Sequence, residues 1–270
     1  MTFVEKLGRE FVITGEVEPD YQHPEAFLEK AKKYKLYTNT LNVIDSPVGL
    51  FQPSSLAVSA ILAKEGYDPV FQTTCRDKNK VAIINELLGA KLLGIENVLA
   101  ITGDYPQHGG KPVYEFDSTS LLRLIKQEMP KEFKGFKMNV GAGYNPLCEP
   151  NEPELIKLEK KLKYADFIQT QLVFEPSQLE HEILQKHKKK IIVGIFPLAP
   201  GLAEYFDKEI PGVVVPKNVK EAIKSLNDGI DLARELVGYV KDAGFAGVHL
   251  MTFGKAEDRI GEILSDVVPK

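Results

Sequence analysis

Residues 97–104 give the clearest indication of the fold: Asn97-Val98-Leu99-Ala100-Ile101-Thr102-Gly103-Asp104 is an apolar run that ends in a glycine and an aspartate. The apolar residues predict a buried β-strand, and Asp104 then lies just past its carboxyl end. Active sites of α/β folds lie at that end of the strands. An aspartate in this setting is also an ordinary turn or helix-capping residue, so its interpretation depends on how the other strands end.

The same kind of segment recurs along the whole chain. Short β-branched runs alternate with longer amphipathic segments, in which apolar residues recur every three or four positions. The predicted strands are 11–18, 40–45, 69–75, 97–103, 136–143, 166–174, 191–197 and 246–253. Amphipathic segments lie between them, for example at 24–35, 53–65, 78–93, 152–164 and 217–242. Eight such repeats predict an α/β protein with a (β/α)8 TIM barrel.

The chain shows no sign of a division into domains. It contains no Pro/Gly/Ser-rich linker and no change of composition, so residues 1–270 are predicted to form one catalytic barrel domain. A doubly wound open sheet is the structural alternative. The dinucleotide-binding fingerprint of that fold, Gly-x-Gly-x-x-Gly after a strand, is absent from this sequence.

Composition excludes several classes of function. A formal net charge of −4 argues against a nucleic-acid partner. No apolar stretch reaches the roughly 18 residues of a membrane span, and the amino terminus, with Glu5 and Glu10, lacks the order of a signal peptide. Cys75 and Cys148 are too few for a disulfide framework and are expected to be reduced thiols. We therefore expect a cytoplasmic protein that binds neither nucleic acid nor membrane.

Most of the other predicted strands also end in polar side chains. Strand one carries Glu16 and Glu18, two residues apart and hence on one side of the sheet, which is either the barrel interior or, with inverted parity, the side facing the helices. The remaining strand ends hold Asp45, Gln72, Thr74, Tyr144, Asn145, Thr170, Gln171, His249 and Thr252. A ring of carboxylates, amides and hydroxyls around a barrel mouth indicates a polar heterocyclic ligand, and it includes no obvious nucleophile or metal cage.

Five segments carry a more specific pattern. They are Gly15-Glu16-Val17-Glu18-Pro19, Gln72-Thr73-Thr74-Cys75-Arg76-Asp77-Lys78-Asn79, Leu87-Leu88-Gly89-Ala90 followed by residues 94–104, Asp166-Phe167-Ile168-Gln169-Thr170-Gln171-Leu172-Val173-Phe174, and His249-Leu250-Met251-Thr252. In collinear order over about residues 10–260, they resemble the methylenetetrahydrofolate reductase family. The resemblance is strongest to the short, single-domain prokaryotic members.

The resemblance implies a flavin-dependent enzyme of one-carbon metabolism and methionine biosynthesis. Such an enzyme reduces 5,10-methylenetetrahydrofolate to 5-methyltetrahydrofolate, with hydride passing from the reduced flavin N5 to the iminium carbon of the folate. By position, Glu16 would be the general acid and Asp104 a second catalytic carboxylate. The substrate-binding positions would be Gln171, Asp104, Leu202 and Thr252. The cofactor-binding positions would be Gln72, Thr74, Thr102, Gly103, Tyr144 and Lys161.

Several positions depart from the pattern of this family. Thr102 stands where an arginine often precedes Gly-Asp, and Gln72-Thr73 stands where a histidine often precedes Thr-Cys. Ile44 replaces a threonine that lies near the flavin phosphates, and Leu202 replaces an aromatic residue that stacks on folate. FAD remains the expected cofactor, with FMN or a flavin-free hydride transfer as alternatives. NAD(P)H is the expected electron donor.

Two other functions stay open. A pterin-binding methyltransferase barrel would bind folate without redox chemistry and would need neither a flavin nor an acid at Glu16. A reductase subunit could instead depend on an iron–sulfur protein that delivers electrons. A homo-oligomer is compatible with all of these functions.

Overall fold

A computed structural model describes residues 2–107 and 110–268 and contains eight β-strands. Their bounds are β1 (Val12–Val17), β2 (Thr40–Val43), β3 (Asp68–Thr74), β4 (Asn97–Ile101), β5 (Asn139–Tyr144), β6 (Phe167–Leu172), β7 (Ile191–Ile195) and β8 (Gly247–Leu250). Each strand overlaps its predicted segment, and the predicted ends differ from the observed ones by at most three residues. All eight strand predictions are confirmed.

The strands form a closed barrel in chain order. Every neighbouring pair is parallel, and β8 pairs with β1 through Val12 and Gly247 to complete the ring. The predicted TIM barrel is therefore confirmed, and the open sheet is excluded. No helix in residues 2–107 and 110–268 has both the length and the apolar character needed to cross a membrane.

Helices follow the strands around the barrel. They are α1 (Phe3–Lys6), α2 (Ala26–Tyr34), α3 (Ser55–Lys64), α4 (Lys80–Leu92), α5 (Ser118–Arg123), α6 (Met129–Glu132), α7 (Glu152–Leu162), α8 (Glu182–His187), α9 (Leu202–Glu209), α10 (Lys217–Ala222), α11 (Leu226–Asp242) and α12 (Ile260–Ile263). A π-helical turn, Leu124–Glu128, joins α5 to α6. Short 3-10 turns lie at Pro47–Gly49, Pro176–Leu179, Lys188–Lys190 and Gly254–Arg259.

The amphipathic segment 217–242 was predicted as one unit, and this prediction is wrong. The helix stops at Ala222 and restarts after Ser225, whose hydroxyl accepts a hydrogen bond from the Asp228 backbone N–H. The Asp228 carboxylate in turn accepts a hydrogen bond from the Ser225 N–H at 2.7 Å. This reciprocal capping box makes Ser225 a helix start within a continuous apolar pattern.

The amino-terminal half of the barrel interior is mainly apolar, apart from the linked amides of Asn97 and Asn139. Val12, Val70, Leu99, Phe167 and Ile192, each from a different strand, pack together there. The short helix α1 closes this end of the barrel through Phe3, whose ring meets Phe167 edge-on at 5.1 Å. Because side chains fill the amino-terminal half of the interior, a ligand can bind only at the carboxyl end of the barrel.

A second apolar layer lies between the strands and the helices. The packing of α2 shows how closely the two fit, because a Cβ at Gly15 of β1 would lie only 2.7 Å from the Tyr34 ring. The Tyr34 hydroxyl donates a hydrogen bond to the Leu250 carbonyl of β8 at 2.8 Å. One helix thus fixes the junction of the first and last strands, where Glu16 and His249 lie.

Candidate active site

Glu16 faces the barrel interior and contacts a buried histidine. Its Oε2 atom lies 3.3 Å from Nε2 of His249 on β8, and the opposite ring nitrogen, Nδ1, lies 2.9 Å from the Thr14 hydroxyl. His249 is fully buried, whereas 17% of the Glu16 side chain is exposed at the mouth. The Thr14 hydroxyl can donate or accept, so His249 can adopt either neutral tautomer. Glu16 therefore keeps its hydrogen bond both as a carboxylate and as a protonated acid.

Glu18 was expected to share the face of Glu16, and this expectation is wrong. Glu18 follows the last residue of β1, and both of its carboxylate oxygens accept hydrogen bonds from Lys30 of α2, at 2.9 and 2.7 Å. Lys30 also donates to the Thr252 carbonyl, which places Glu18 on the rim of the mouth. Burial raises the pKa of Glu18 to about 7, although the Lys30 ammonium opposes the rise. Glu18 is thus a second acidic group beside the interior.

Asp45 and Thr74 form a closed polar network where β2 and β3 end. Asp45 Oδ2 accepts hydrogen bonds from the Thr74 N–H, the Thr74 hydroxyl and Lys78 Nζ, each at 2.9 Å. Lys78 also binds Glu86 of α4 at 2.8 Å. Burial acts to lower the pKa of Lys78, but Asp45 and Glu86 raise it overall, so the ammonium stays charged. The predicted cofactor-binding Thr74 therefore has its hydroxyl engaged inside the protein.

Asp104 lies on the exposed loop after β4, as predicted. Its Oδ2 atom accepts a hydrogen bond of 3.4 Å from the Val48 N–H, and its carbonyl accepts one from the Tyr114 hydroxyl at 3.2 Å. Gly103 before it has a φ of +87°, and a Cβ there would lie 3.0 Å from the Arg76 Cβ. Glycine is required at this turn because both the backbone angle and the lack of space disfavour a side chain. The turn sets where the Asp104 carboxylate lies.

Arg76 holds the loops after β2, β3 and β4 together. Its guanidinium is fully buried and donates to both carboxylate oxygens of Asp77, at 2.8 and 2.6 Å. It also donates to the Ser46 carbonyl at 2.7 Å and to the Asp104 carbonyl at 3.2 Å. Arg76 thus makes four hydrogen bonds from one planar guanidinium, more than the three N–H donors of a lysine ammonium allow. Arg76 is therefore a positioning residue for Asp104.

Arg76→Lys should lower the free energy of unfolding by about 2–3 kcal/mol, because charged hydrogen bonds to Ser46 and Asp104 are lost. Urea unfolding followed by circular dichroism measures this change. The matched control is Arg123→Lys, since Arg123 is largely exposed and contacts Glu128 at 3.4 Å. The control should change stability by less than about 0.5 kcal/mol. Equal losses in both variants would contradict the role given to Arg76.

The predicted substrate-binding residues occupy different environments. Gln171 is half-buried, and its Oε1 atom accepts a hydrogen bond from the Leu172 N–H at 3.0 Å. Leu202 begins α9 and packs beside an apolar cluster that includes Phe206. Thr252 is buried, with its hydroxyl 2.9 Å from the Tyr34 hydroxyl. The amide nitrogen of Gln171 has no hydrogen-bond partner in the described part of the chain, whereas the Thr252 hydroxyl is engaged.

The predicted cofactor-binding residues are only partly gathered at the mouth. Thr102 and Gly103 lie on the open loop after β4. Tyr144 is buried in the outer apolar layer, where its hydroxyl donates to Asn151 at 3.3 Å. Lys161 of α7 is buried and donates to the Gly143 carbonyl at 2.7 Å and to Glu154 at 3.2 Å. A ligand phosphate at Lys161 would have to share this ammonium with Glu154.

Three residues of the interior were not singled out by sequence reasoning. Thr14 and Asn42 each interrupt a short strand, and Gln169 lies two positions before the predicted Gln171. The available signal was strand parity, because Thr14 lies two residues after Val12 and Gln169 two residues after Phe167, so each pair shares one face of its strand. Both apolar partners point into the barrel, which places the two polar residues there as well.

Cys75 does not take part in the chemistry of the mouth. It is a free, buried cysteine in the layer between strands and helices. Burial raises the pKa of its thiol to about 12, so it remains protonated at neutral pH. Cys148 is also free, in agreement with the prediction of two reduced thiols.

Comparison with known proteins agrees with this geometry. A probable methylenetetrahydrofolate reductase (NADPH) of Caenorhabditis elegans is 28% identical over 235 residues, which cover 79% of this chain. The match spans about a third of that protein, 34% of its length. A 5,10-methylenetetrahydrofolate reductase of Pectobacterium carotovorum is 24% identical over 74% of this chain and 70% of its own length.

A solved structure shows the same fold. It is an uncharacterized protein from Clostridium thermocellum that binds two copies of 5-methyl-5,6,7,8-tetrahydrofolic acid, with a TM-score of 0.67 and 12% identity over 97% of this chain and 96% of that protein. The model of the family described as methylenetetrahydrofolate reductase matches residues 11–267, nearly the whole chain. Together with the barrel and its polar mouth, this match shows that the chain belongs to the methylenetetrahydrofolate reductase family.

Proposed function

We propose that this chain reduces 5,10-methylenetetrahydrofolate to 5-methyltetrahydrofolate with a hydride from a reduced flavin. Family membership over residues 11–267 supports the reaction class. The observation that carries the proposal is Glu16, an acid held by His249 inside the barrel and partly exposed at the mouth. The tetrahydrofolate ligand of the Clostridium thermocellum protein supports a folate site in a barrel of this shape.

Glu16 would supply the proton that opens the folate ring. Opening of the imidazolidine ring needs a proton on N10 before hydride can reach the resulting iminium carbon. The contact of 3.3 Å with His249 fixes the direction of the Glu16 carboxyl in both protonation states. Glu16 can therefore release and recover a proton without losing its position, and the exposed part of its side chain gives the proton access to substrate.

Asp104 would stabilise positive charge on the folate. Its carboxylate is exposed on the loop after β4, and the loop is held by Arg76 and Tyr114 through backbone contacts. A fixed negative charge stabilises a cationic iminium more than the neutral ring-closed substrate. Asp104 would thus lower the energy of the state from which hydride is accepted.

The residues at the ends of β4 and β5 fit a flavin. Gly143 leaves open space, since a Cβ there would meet only the Ile101 methyl group at 3.9 Å. Thr102 and Gly103 border β4 and would hold the ring edge, and Lys161 would contribute charge toward a phosphate in competition with Glu154. A bound reduced flavin supplies the hydride. A flat ring in this space would also exclude water from the folate.

The proposal also names the flavin, the electron donor and the residues that would lie beside each ligand. FAD is the proposed flavin and NAD(P)H the proposed donor, with Gln72 and Thr74 lining the strands next to the flavin and Tyr144 packed behind β5 in the outer apolar layer. Gln171, Leu202 and Thr252 are proposed to lie along the folate. We further propose that the barrel of residues 1–270 acts as one catalytic domain in the cytoplasm, alone or as a homo-oligomer.

The test begins with the visible spectrum of the purified protein, where bound flavin absorbs at about 375 and 450 nm. Folate reduction is then measured anaerobically with NADH, NADPH and reduced methyl viologen as separate donors. We expect flavin bands and formation of 5-methyltetrahydrofolate with a nicotinamide donor. Turnover with viologen alone would instead indicate a subunit that takes electrons from an iron–sulfur partner.

Two results would contradict the proposal. Reduction of the folate by NAD(P)H in protein without flavin, even after incubation with FAD or FMN, would show a direct hydride transfer. Tight binding of 5-methyltetrahydrofolate without reduction by any donor would favour the pterin-binding methyltransferase. Transfer of the methyl group to a corrinoid acceptor would then identify that function directly.

A further inference from the structure

Three amide side chains from different strands meet inside the barrel. Asn42 of β2 donates from Nδ2 to Gln169 Oε1 of β6 at 2.6 Å, and Gln72 of β3 donates from Nε2 to Asn42 Oδ1 at 3.4 Å. All three side chains are more than nine-tenths buried. We refer to Asn42, Gln72 and Gln169 as the amide triad. TIM-barrel interiors are usually filled by branched apolar residues, so three linked amides are an unusual use of this space.

The hydrogen bonds of the triad leave one amide group of Gln169 free. Gln169 Oε1 accepts from Asn42, and its Nε2 group, with two N–H donors, has no hydrogen-bond partner among the described residues. Ser59 Oγ is the single fully buried side-chain polar atom without a hydrogen bond in the described part of the chain. Gln169 Nε2 makes no hydrogen bond yet is not among such fully buried atoms, so part of it is open to the space inside the barrel. A donor in this position favours a ligand acceptor, because a ligand that covered it without one would leave its N–H groups buried and unpaired.

Space for such a ligand lies beside Gln169. Gly143 of β5 is its partner in the sheet register, and a Cβ at Gly143 would meet only Ile101 at 3.9 Å. Phe167, one inward position below Gln169 on the same strand, closes the apolar floor. A flat ring could therefore enter above Gly143 with its edge toward the Gln169 amide.

We propose that Gln169 binds the ring edge of a fused pyrimidine, donating from Nε2 to a ring carbonyl or an unprotonated ring nitrogen. This inference rests on the proposed function, since pterins and flavins both carry such an edge. Asn42 acts as a positioning residue that fixes which end of the Gln169 amide faces the ligand, and Gln72 fixes Asn42 in turn. The triad thereby selects ligands that present an acceptor at this point.

The test uses two substitutions that separate the donor from the shape of the side chain. Gln169→Glu keeps an oxygen for Asn42 Nδ2 but has no N–H to donate, and Gln169→Met keeps the volume without either group. The control is Asn139→Leu, which removes another interior amide, one that donates to Asn97 at 2.9 Å near the amino end of the barrel. Thermal unfolding reports the folding of each variant, and Gln169→Met carries the test if Gln169→Glu does not fold.

Calorimetric titration with 5-methyltetrahydrofolate and the flavin content per chain are measured separately for each variant. We expect both Gln169 variants to bind one of the two ligands about tenfold or more weakly than wild type, as for a lost hydrogen bond to a buried group. Weaker folate binding with unchanged flavin content assigns Gln169 to the pterin, and the reverse assigns it to the flavin. The Asn139→Leu control should bind both ligands within about twofold of wild type.

Two outcomes would overturn the inference. One is binding of both ligands within twofold of wild type in the Gln169 variants, and the other is equal weakening in Asn139→Leu. Wild-type protein that binds folate but does not reduce it contradicts the proposed function alone, and the Gln169 comparison then still decides the inference. Wild-type protein that binds neither ligand overturns both.

Discussion

Glu16→Gln should slow the reduction of methylenetetrahydrofolate by about 10²–10⁴-fold, the range typical of a removed general acid. Glutamine keeps the shape of the side chain and a hydrogen bond to His249 Nε2, but it has no proton to give to N10. NAD(P)H should still bleach the flavin absorbance at the wild-type rate, because that step needs no proton from Glu16. Anaerobic stopped-flow absorbance measures bleaching by NAD(P)H and recolouring by folate on one sample.

Glu18→Gln provides the matched comparison for this experiment. Glu18 lies two residues further along the chain and pairs with Lys30 at 2.7 Å on the rim. Since burial raises the pKa of Glu18 to about 7, it is the other group that could carry a proton at neutral pH. We expect recolouring in Glu18→Gln to stay within a few-fold of wild type. If Glu18→Gln recolours slowly and Glu16→Gln does not, Glu18 is the acid.

The barrel could be predicted from sequence because its signals are repeated and local. Runs such as 97–103 and 191–197 are mostly apolar and rich in β-branched residues, as expected of parallel strands covered on both faces. The break within 217–242 was missed for a physical reason. Its capping box, formed by Ser225 and Asp228, acts on the backbone without interrupting the apolar pattern.

The positions of polar side chains at the strand ends were harder to predict. Glu16 and Gly103-Asp104 lie at the mouth as expected. Tyr144 instead packs in the outer layer between strands and helices. A shift of one position along a strand moves a side chain to the opposite face, so a small error in the predicted position is enough to misplace it. The pairing of β6 with β7 also shifts register between Gln169 and Leu172. Such an irregularity depends on the neighbouring strand, so sequence alone did not distinguish Gln169 from Gln171.

Asp104→Asn should slow folate reduction by about 10²-fold. The amide has the same shape, and its oxygen can still accept the weak hydrogen bond from the Val48 N–H. The Asp104 carbonyl remains bound to Arg76 and Tyr114, so the loop after β4 should keep its conformation. Only the negative charge proposed to face the folate is lost, and the cationic iminium should then be less stabilised.

The rate of flavin recolouring by methylenetetrahydrofolate measures this loss, and urea unfolding checks that stability is unchanged within about 0.5 kcal/mol. The matched control is Glu96→Gln, which removes one negative charge just before the amino end of β4. Glu96 is exposed and contacts Lys91 at 3.3 Å, and the whole of β4 separates it from the mouth. Its variant should recolour at the wild-type rate. Unchanged recolouring in Asp104→Asn would mean that Asp104 serves the turn after β4 and not the reaction, whereas slowing in both variants would point to a general effect of net charge.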